Sequence, residues 1–238
     1  MKIRNLAYLA STLLVVLTML ALGQDPSPNT QAPAAQGQYT PKFPGDPARS
    51  DSESGALGYM RRGADLLVAR TDVDSTRLAF VGHSYNAGVG GILSGVDKRF
   101  KAFVLMAGGL SDALDLKSED LQKYRLEVGP EKFDAFIARN GWLDPGLFVA
   151  HAAPATVFLQ YGGQEKFLNP ERARAYAAIV SEPKKLKIYD APHALNAEAT
   201  RDRIAFLCEQ LRVKPPEAKA VAGIPELYQP PEPVQTGP

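Results

Sequence analysis

Little in this sequence can act as a cross-link or a metal clamp. There is one cysteine in 238 residues and there are three histidines. Cys208 has no partner for an internal disulfide, and it falls among Ile204, Leu207 and Leu211 in a helical apolar pattern, so it reads as a buried, inert thiol. No Cys/His cluster has metal-ligand spacing, and no metal or cofactor is expected. An excess of one charge is missing too: 27 Lys and Arg stand against 26 Asp and Glu. That balance gives no reason to expect a nucleic-acid partner. With 45% hydrophobic residues the chain can build one ordinary core, and it must hold together by that core alone.

The two ends read differently from the middle. Lys2 and Arg4 precede an apolar run from Leu6 to Leu22, and Ala21-Leu22-Gly23 offers small residues at a cleavage site. Residues 1–23 therefore read as a secretory signal peptide, with an N-terminal membrane anchor as the alternative. Either makes the rest a secreted or periplasmic protein. Residues 24–50 are rich in Pro, Gln, Ala and Thr without hydrophobic period, the pattern of a disordered linker, and 214–238 read as a Pro-rich disordered tail. The folded domain is expected over 51–213.

Within that domain, Ser52 or Ser54 can cap a helix running through Leu57, Met60, Ala64, Leu67 and Val68. Three runs have the length and apolar character of buried strands, Leu78 to Val81, Ala102 to Met106 and Thr156 to Tyr161, and Pro183 sets up a fourth strand from Lys185 to Tyr189. Helical segments alternate with them, which predicts an α/β fold with about four parallel strands and flanking helices. The stretch from Ser111 to Ala153 is largely helical and reads either as a cap over a site or as ordinary surface helices.

The first strand runs into Gly82-His83-Ser84-Tyr85-Asn86 and then into the small residues Ala87, Gly88, Gly90 and Gly91. A serine on such a strand-to-helix turn has its Oγ exposed and the next backbone N–H, that of Tyr85, aimed at a developing oxyanion. Asn86 departs from the turn's usual glycine and is expected to crowd it. In a parallel sheet ligands bind beyond the carboxyl ends of the strands. Ser84, Glu165 and His193 each follow such an end, in the order nucleophile, acid, base. A hydroxyl needs a histidine to take its proton, and the histidine needs a carboxylate to fix its tautomer. Asp190 is the rival acid, ranked below Glu165 because it lies only three residues before His193. His83 and His151 read as structural, and Asp74 with Arg77 as a turn-fixing pair.

The region from about Met60 to Val213 resembles the dienelactone-hydrolase-like branch of the α/β-hydrolase superfamily. The residues that carry the likeness are Asp74-Ser75-Thr76-Arg77 leading into VGHSYNAG, then AFVLMAGG, then FLQYGGQEKF, then Lys187 to Asn196. The resemblance implies an esterase-type hydrolase on a small ester or acyl substrate, with Ser84 as nucleophile, Glu165 where the family more often has Asp, and His193 as base. It also implies about four strands before the nucleophile strand, which are not found here, and neither is a His-Gly or Gly-rich oxyanion segment. The chain thus reads as an incomplete α/β-hydrolase. The competing expectation is a catalytically impaired remnant that binds a ligand, and the Leu78 strand, left at a sheet edge, is a candidate for self-association.

Overall fold

The computed structural model describes residues 47–109, 119–165 and 168–226. The expected signal peptide, most of the linker, the first part of the segment after Ser111 and the end of the tail lie outside the described residues. Four parallel strands form one sheet in the order β1-β2-β3-β4. They are β1 (Leu78–His83), β2 (Phe100–Met106), β3 (Thr156–Gly162) and β4 (Lys184–Tyr189). The first three are mainly apolar and β4 alternates lysines with Leu186 and Ile188; each is joined to the next by helical chain, which is what keeps the pairing parallel.

The helices are α1 (Pro47–Val68), α2 (Tyr85–Val96), α3 (Glu119–Val128), α4 (Pro130–Asn140), α5 (Pro145–Val149), α6 (Pro170–Ile179), α7 (Ala197–Gln210) and α8 (Ala218–Ala222). Alternation along the strands divides the core in two. On one face Phe80, Phe103, Leu105, Val157, Leu159 and Tyr161 pack with Ala64 of α1, Leu93 of α2, Val149 of α5 and Tyr176 of α6. A Cβ at Gly90 would stand 2.3 Å from the Phe80 ring, so the thin side of α2 lets the helix lie close on the sheet. On the other face Val81, Val104, Phe158 and Tyr189 meet Ala199 and Phe206 of α7.

The sheet's two edges are built differently. β4 carries Lys184, Lys185 and Lys187, and the Lys187 ammonium bonds Glu198 at 2.7 Å and Asp202 at 2.6 Å, so α7 ties down that edge. β1, the other edge, carries no charged side chain.

Two boundaries differ from the sequence expectation. α1 begins at Pro47, inside the stretch read as linker; a proline suits the first turn of a helix, where its missing N–H costs nothing. The larger correction concerns residues 214–226, read as part of a disordered tail. After α7 the chain reverses at Arg212, where φ is +52°, and Pro215, Pro216 and Val221 line one apolar groove with Ile204 and Ala205 of α7. Glu226 then accepts a hydrogen bond from the Ala197 N–H at 2.8 Å, at the opposite end of α7. A carboxylate is favourable there because the first N–H groups of a helix have no intrahelical acceptor. The prolines that lower the local helical signal line that groove, Pro216 half-buried and Pro215 exposed.

Candidate active site

β1 delivers Ser84 to the carboxyl rim of the sheet, and α2 starts immediately after it. Ser84 has φ +56° and ψ −119°, a backbone conformation uncommon for a residue with a side chain. Its neighbours determine it from both sides. The Ser84 N–H donates to the Met106 carbonyl at 2.8 Å, continuing the β1/β2 ladder by one residue. The Ser84 carbonyl accepts from Ala87 at 3.0 Å and Gly88 at 3.3 Å, which begins α2. Strain of this kind persists only where the surroundings over-determine it, and it clusters at functional sites.

Space at the turn depends on two glycines. A Cβ at Gly82 would fall 2.5 Å from the Asn86 carbonyl oxygen, and one at Gly108 would fall 2.0 Å from the Ser84 carbonyl oxygen. Gly108 is itself held from below, since the buried Tyr161 hydroxyl donates to its carbonyl at 2.7 Å. Asn86, expected to crowd the turn, is a half-buried residue in the first turn of α2 and the elbow closes around it. Its backbone carbonyl group lies against Gly82 together with the Phe80 ring, so close contacts fall at Gly82 as they do at Gly108. Tyr85, the expected oxyanion donor, is the first residue of α2, with its backbone N–H beside Ser84.

Glu165 and His193 come from the loops after β3 and β4, and those loops are tied to each other. The Gly163 N–H donates to Tyr189 at 2.7 Å and the Gln164 N–H to Ala191 at 3.1 Å. His193 Nδ1 is hydrogen-bonded to the Glu165 carboxylate. The carboxylate side is 7% exposed and the imidazole 45%, so a sheltered acid stands behind a histidine that faces outward. With Nδ1 donating, Nε2 is left as the ring's acceptor. Among the described residues no hydrogen bond joins the Ser84 hydroxyl to the His193 ring. Asp190, the rival acid, accepts from Gln164 at 2.9 Å.

His83 does more than fill space beside Ser84. Its Nε2 lies 2.9 Å from the His193 carbonyl oxygen, and the two rings meet at 64° with centroids 4.7 Å apart. Burial pushes the His83 imidazole below its ordinary value, and the positive fields of His193 and Arg203 act the same way. Glu165 and the bond to His193 oppose them. His151 and the Asp74 turn take the places expected of them. His151 precedes β3, where its carbonyl accepts from Lys98, and Asp74 binds Arg77 at 2.6 Å and holds a carboxyl pulled down to about 2, chiefly by Thr76.

Arg203 is the residue the sequence reading missed. It lies on α7 between Ala199 and Phe206, the two residues that face the sheet, with its guanidinium against the Met106 sulfur and 3.4 Å from Gln160 Oε1. Its other bond is to the Thr200 hydroxyl at 3.1 Å, and among the described residues no carboxylate pairs with it. Burial pulls its ionisation below the usual value. The available signal was its spacing, four residues after Ala199 and three before Phe206, a charge on an otherwise apolar stripe.

The parallel sheet with helices on both faces and a serine on the first strand-to-helix turn is an α/β-hydrolase-type fold. Solved structures of that type superpose on it. An acetyl xylan esterase from Paenibacillus is 18% identical at a TM-score of 0.53, covering 63% of this chain and 50% of that one. Acetyl xylan esterase 1 from Thermoanaerobacterium is 19% identical at 0.54, covering 65% and 52%. Acylaminoacyl peptidase from Pyrococcus horikoshii is 10% identical at 0.54, covering 72% and 30%. The chain thus spans about half the length of the two acetyl xylan esterases it matches. No protein-family model matches the sequence, and no curated protein is significantly similar to it.

Proposed function

We propose that the protein is a serine hydrolase that cleaves ester or related acyl bonds through an acyl-enzyme, of the dienelactone-hydrolase-like kind its motifs suggest. One observation carries the reading: a serine in a strained elbow conformation shares a rim with a histidine whose Nδ1 is bonded to a sheltered glutamate. In this reading Ser84 Oγ attacks the acyl carbon while His193 Nε2 takes its proton. Glu165 stabilises the imidazolium that forms, and the Tyr85 N–H donates to the oxyanion. His193 then protonates the leaving oxygen as the carbon–oxygen bond breaks. In the second half a water attacks the acyl-enzyme, gives its proton to His193, and Ser84 leaves with that proton returned. Hydrogen bonds between nucleophile and base are commonly long in unliganded enzymes and tighten on substrate, which reconciles the unbonded Ser84 hydroxyl with this role. The signal-like segment of residues 1–23 supports work outside the cytoplasm.

The test is labelling of the purified protein with a fluorophosphonate probe. Modification of Ser84 with the folded protein, lost in Ser84→Ala, is the expected result; folded protein that is not labelled rejects the reading. The missing Ser84 to His193 bond favours a second reading, a catalytically impaired hydrolase acting as a binding protein. Turnover of p-nitrophenyl acetate that vanishes in Ser84→Ala removes it.

A further inference from the structure

We propose that His83 is a positioning residue: its Nε2–H, donated to the main-chain carbonyl of His193, sets where the His193 ring stands relative to Ser84. The inference rests on the serine-hydrolase reading for its catalytic meaning, and on geometry for its substance.

A carbonyl oxygen only accepts, so the 2.9 Å contact fixes the proton of His83 on Nε2. His193 sits on a loop with its imidazole nearly half exposed, and Glu165 holds it at a single ring nitrogen. A ring held at one atom can still swing about that bond. His83 supplies the other two restraints, a bond at the backbone of His193 itself and an edge-to-face ring contact. It also fastens the loop to something rigid. His83 is the last residue of β1, in register with Met106 of β2. Because His83 and Ser84 are consecutive, the base is referred to the nucleophile through one peptide unit and not around the long path through β2, β3 and β4.

The surroundings keep this anchor neutral. Burial disfavours a charge on His83, and the groups facing it are Arg203 from α7, His193 from the loop after β4 and Glu165 from the loop after β3. Burial comes first, Arg203 and any positive charge that develops on His193 act with it, and Glu165 opposes them, with a net lowering. A neutral His83 leaves room for His193 to become the single imidazolium of the pair during turnover.

Two variants and one spectrum test the proposal on the full chain. His83→Phe keeps a ring and removes the donor, and His83→Gln restores an N–H donor. For p-nitrophenyl acetate, kcat is expected to fall roughly tenfold in His83→Phe, with KM within about twofold, and to recover to within about threefold in His83→Gln. Ring-nitrogen NMR of the unaltered protein is expected to show His83 as the neutral Nε2–H tautomer at pH 7, and His83→Phe is expected to shift and broaden the His193 ring signals. An unchanged kcat in His83→Phe overturns the proposal, as does an Nδ1–H or doubly protonated His83 at pH 7. If the unaltered protein turns over no ester, the serine-hydrolase reading fails by itself, and the His193 signals decide: displacement in His83→Phe supports the anchor, and unmoved signals overturn it.

Discussion

The two halves of the candidate site are made of different materials. The Ser84 half is built from backbone: a strand ladder on one side, the first turn of α2 on the other, and glycines where nothing else fits. In the Glu165 and His193 half two backbone hydrogen bonds tie the loops together, but the reacting groups themselves are placed by side chains, through the Glu165 bond and His83. Backbone construction ties the nucleophile to the fold, so its supports cannot be altered without cost to stability. Side-chain construction leaves the acid and base alterable at little cost to stability and at large cost to chemistry. One half should fail by unfolding and the other by losing activity.

Gly108→Val is the strongest way to break the nucleophile half. Its Cβ would fall 2.0 Å from a backbone oxygen that cannot move away. A loss of about 3–5 kcal/mol, or failure to fold, is expected in urea denaturation. A variant with an unchanged midpoint would mean the elbow is not backbone-built. Glu165→Gln tests the other half in the opposite sense: kcat on p-nitrophenyl acetate should drop about 10²–10⁴-fold. The same variant should move the denaturation midpoint by no more than about 1 kcal/mol equivalent, and a collapse in stability would erase the distinction between the halves.

Ser84→Gly sharpens the contrast within a single residue. Glycine tolerates φ near +56°, so relief of the strain should raise stability by about 1 kcal/mol while turnover disappears. A destabilised Ser84→Gly would contradict the strain. At the far end of α2 the buried Asp97 carboxyl is held below the usual carboxylate range, first by its bonds to Arg99. A depressed folded-state value means the contribution is full above about pH 4 and fades as pH falls through that lower value. Acid titration of the denaturation midpoint should therefore be shallower in Asp97→Asn, and an identical slope would show that the anchor does not matter. The smallest effect belongs to Asp190→Asn, whose turnover should stay within about threefold because its carboxylate serves Gln164 and not His193.

The strands and the rim were legible in sequence because both follow from local patterns. Strand-length segments, three apolar and one set up by Pro183, account for the sheet, and its parallel sense puts Ser84, Glu165 and His193 at one end. What sequence could not give depends on contacts between distant residues. Pro215 and Pro216 read as disorder because proline lowers local order, yet they line a groove on α7. Arg203 went unremarked because only the placement of α7 brings its guanidinium to Met106 and Gln160. His83 read as filler because its partner lies 110 residues away.

Glu226 has a consequence for anything joined to this end of the protein. By closing on the first turn of α7, it brings the chain back to a point four residues from His193. A group attached at Glu226 is thereby held near the loop that carries His193, where its local concentration is set by the length of the leash and not by what is dissolved around it. A fused domain, a tag or an immobilising surface attached there is a neighbour of the imidazole by design of the covalent path.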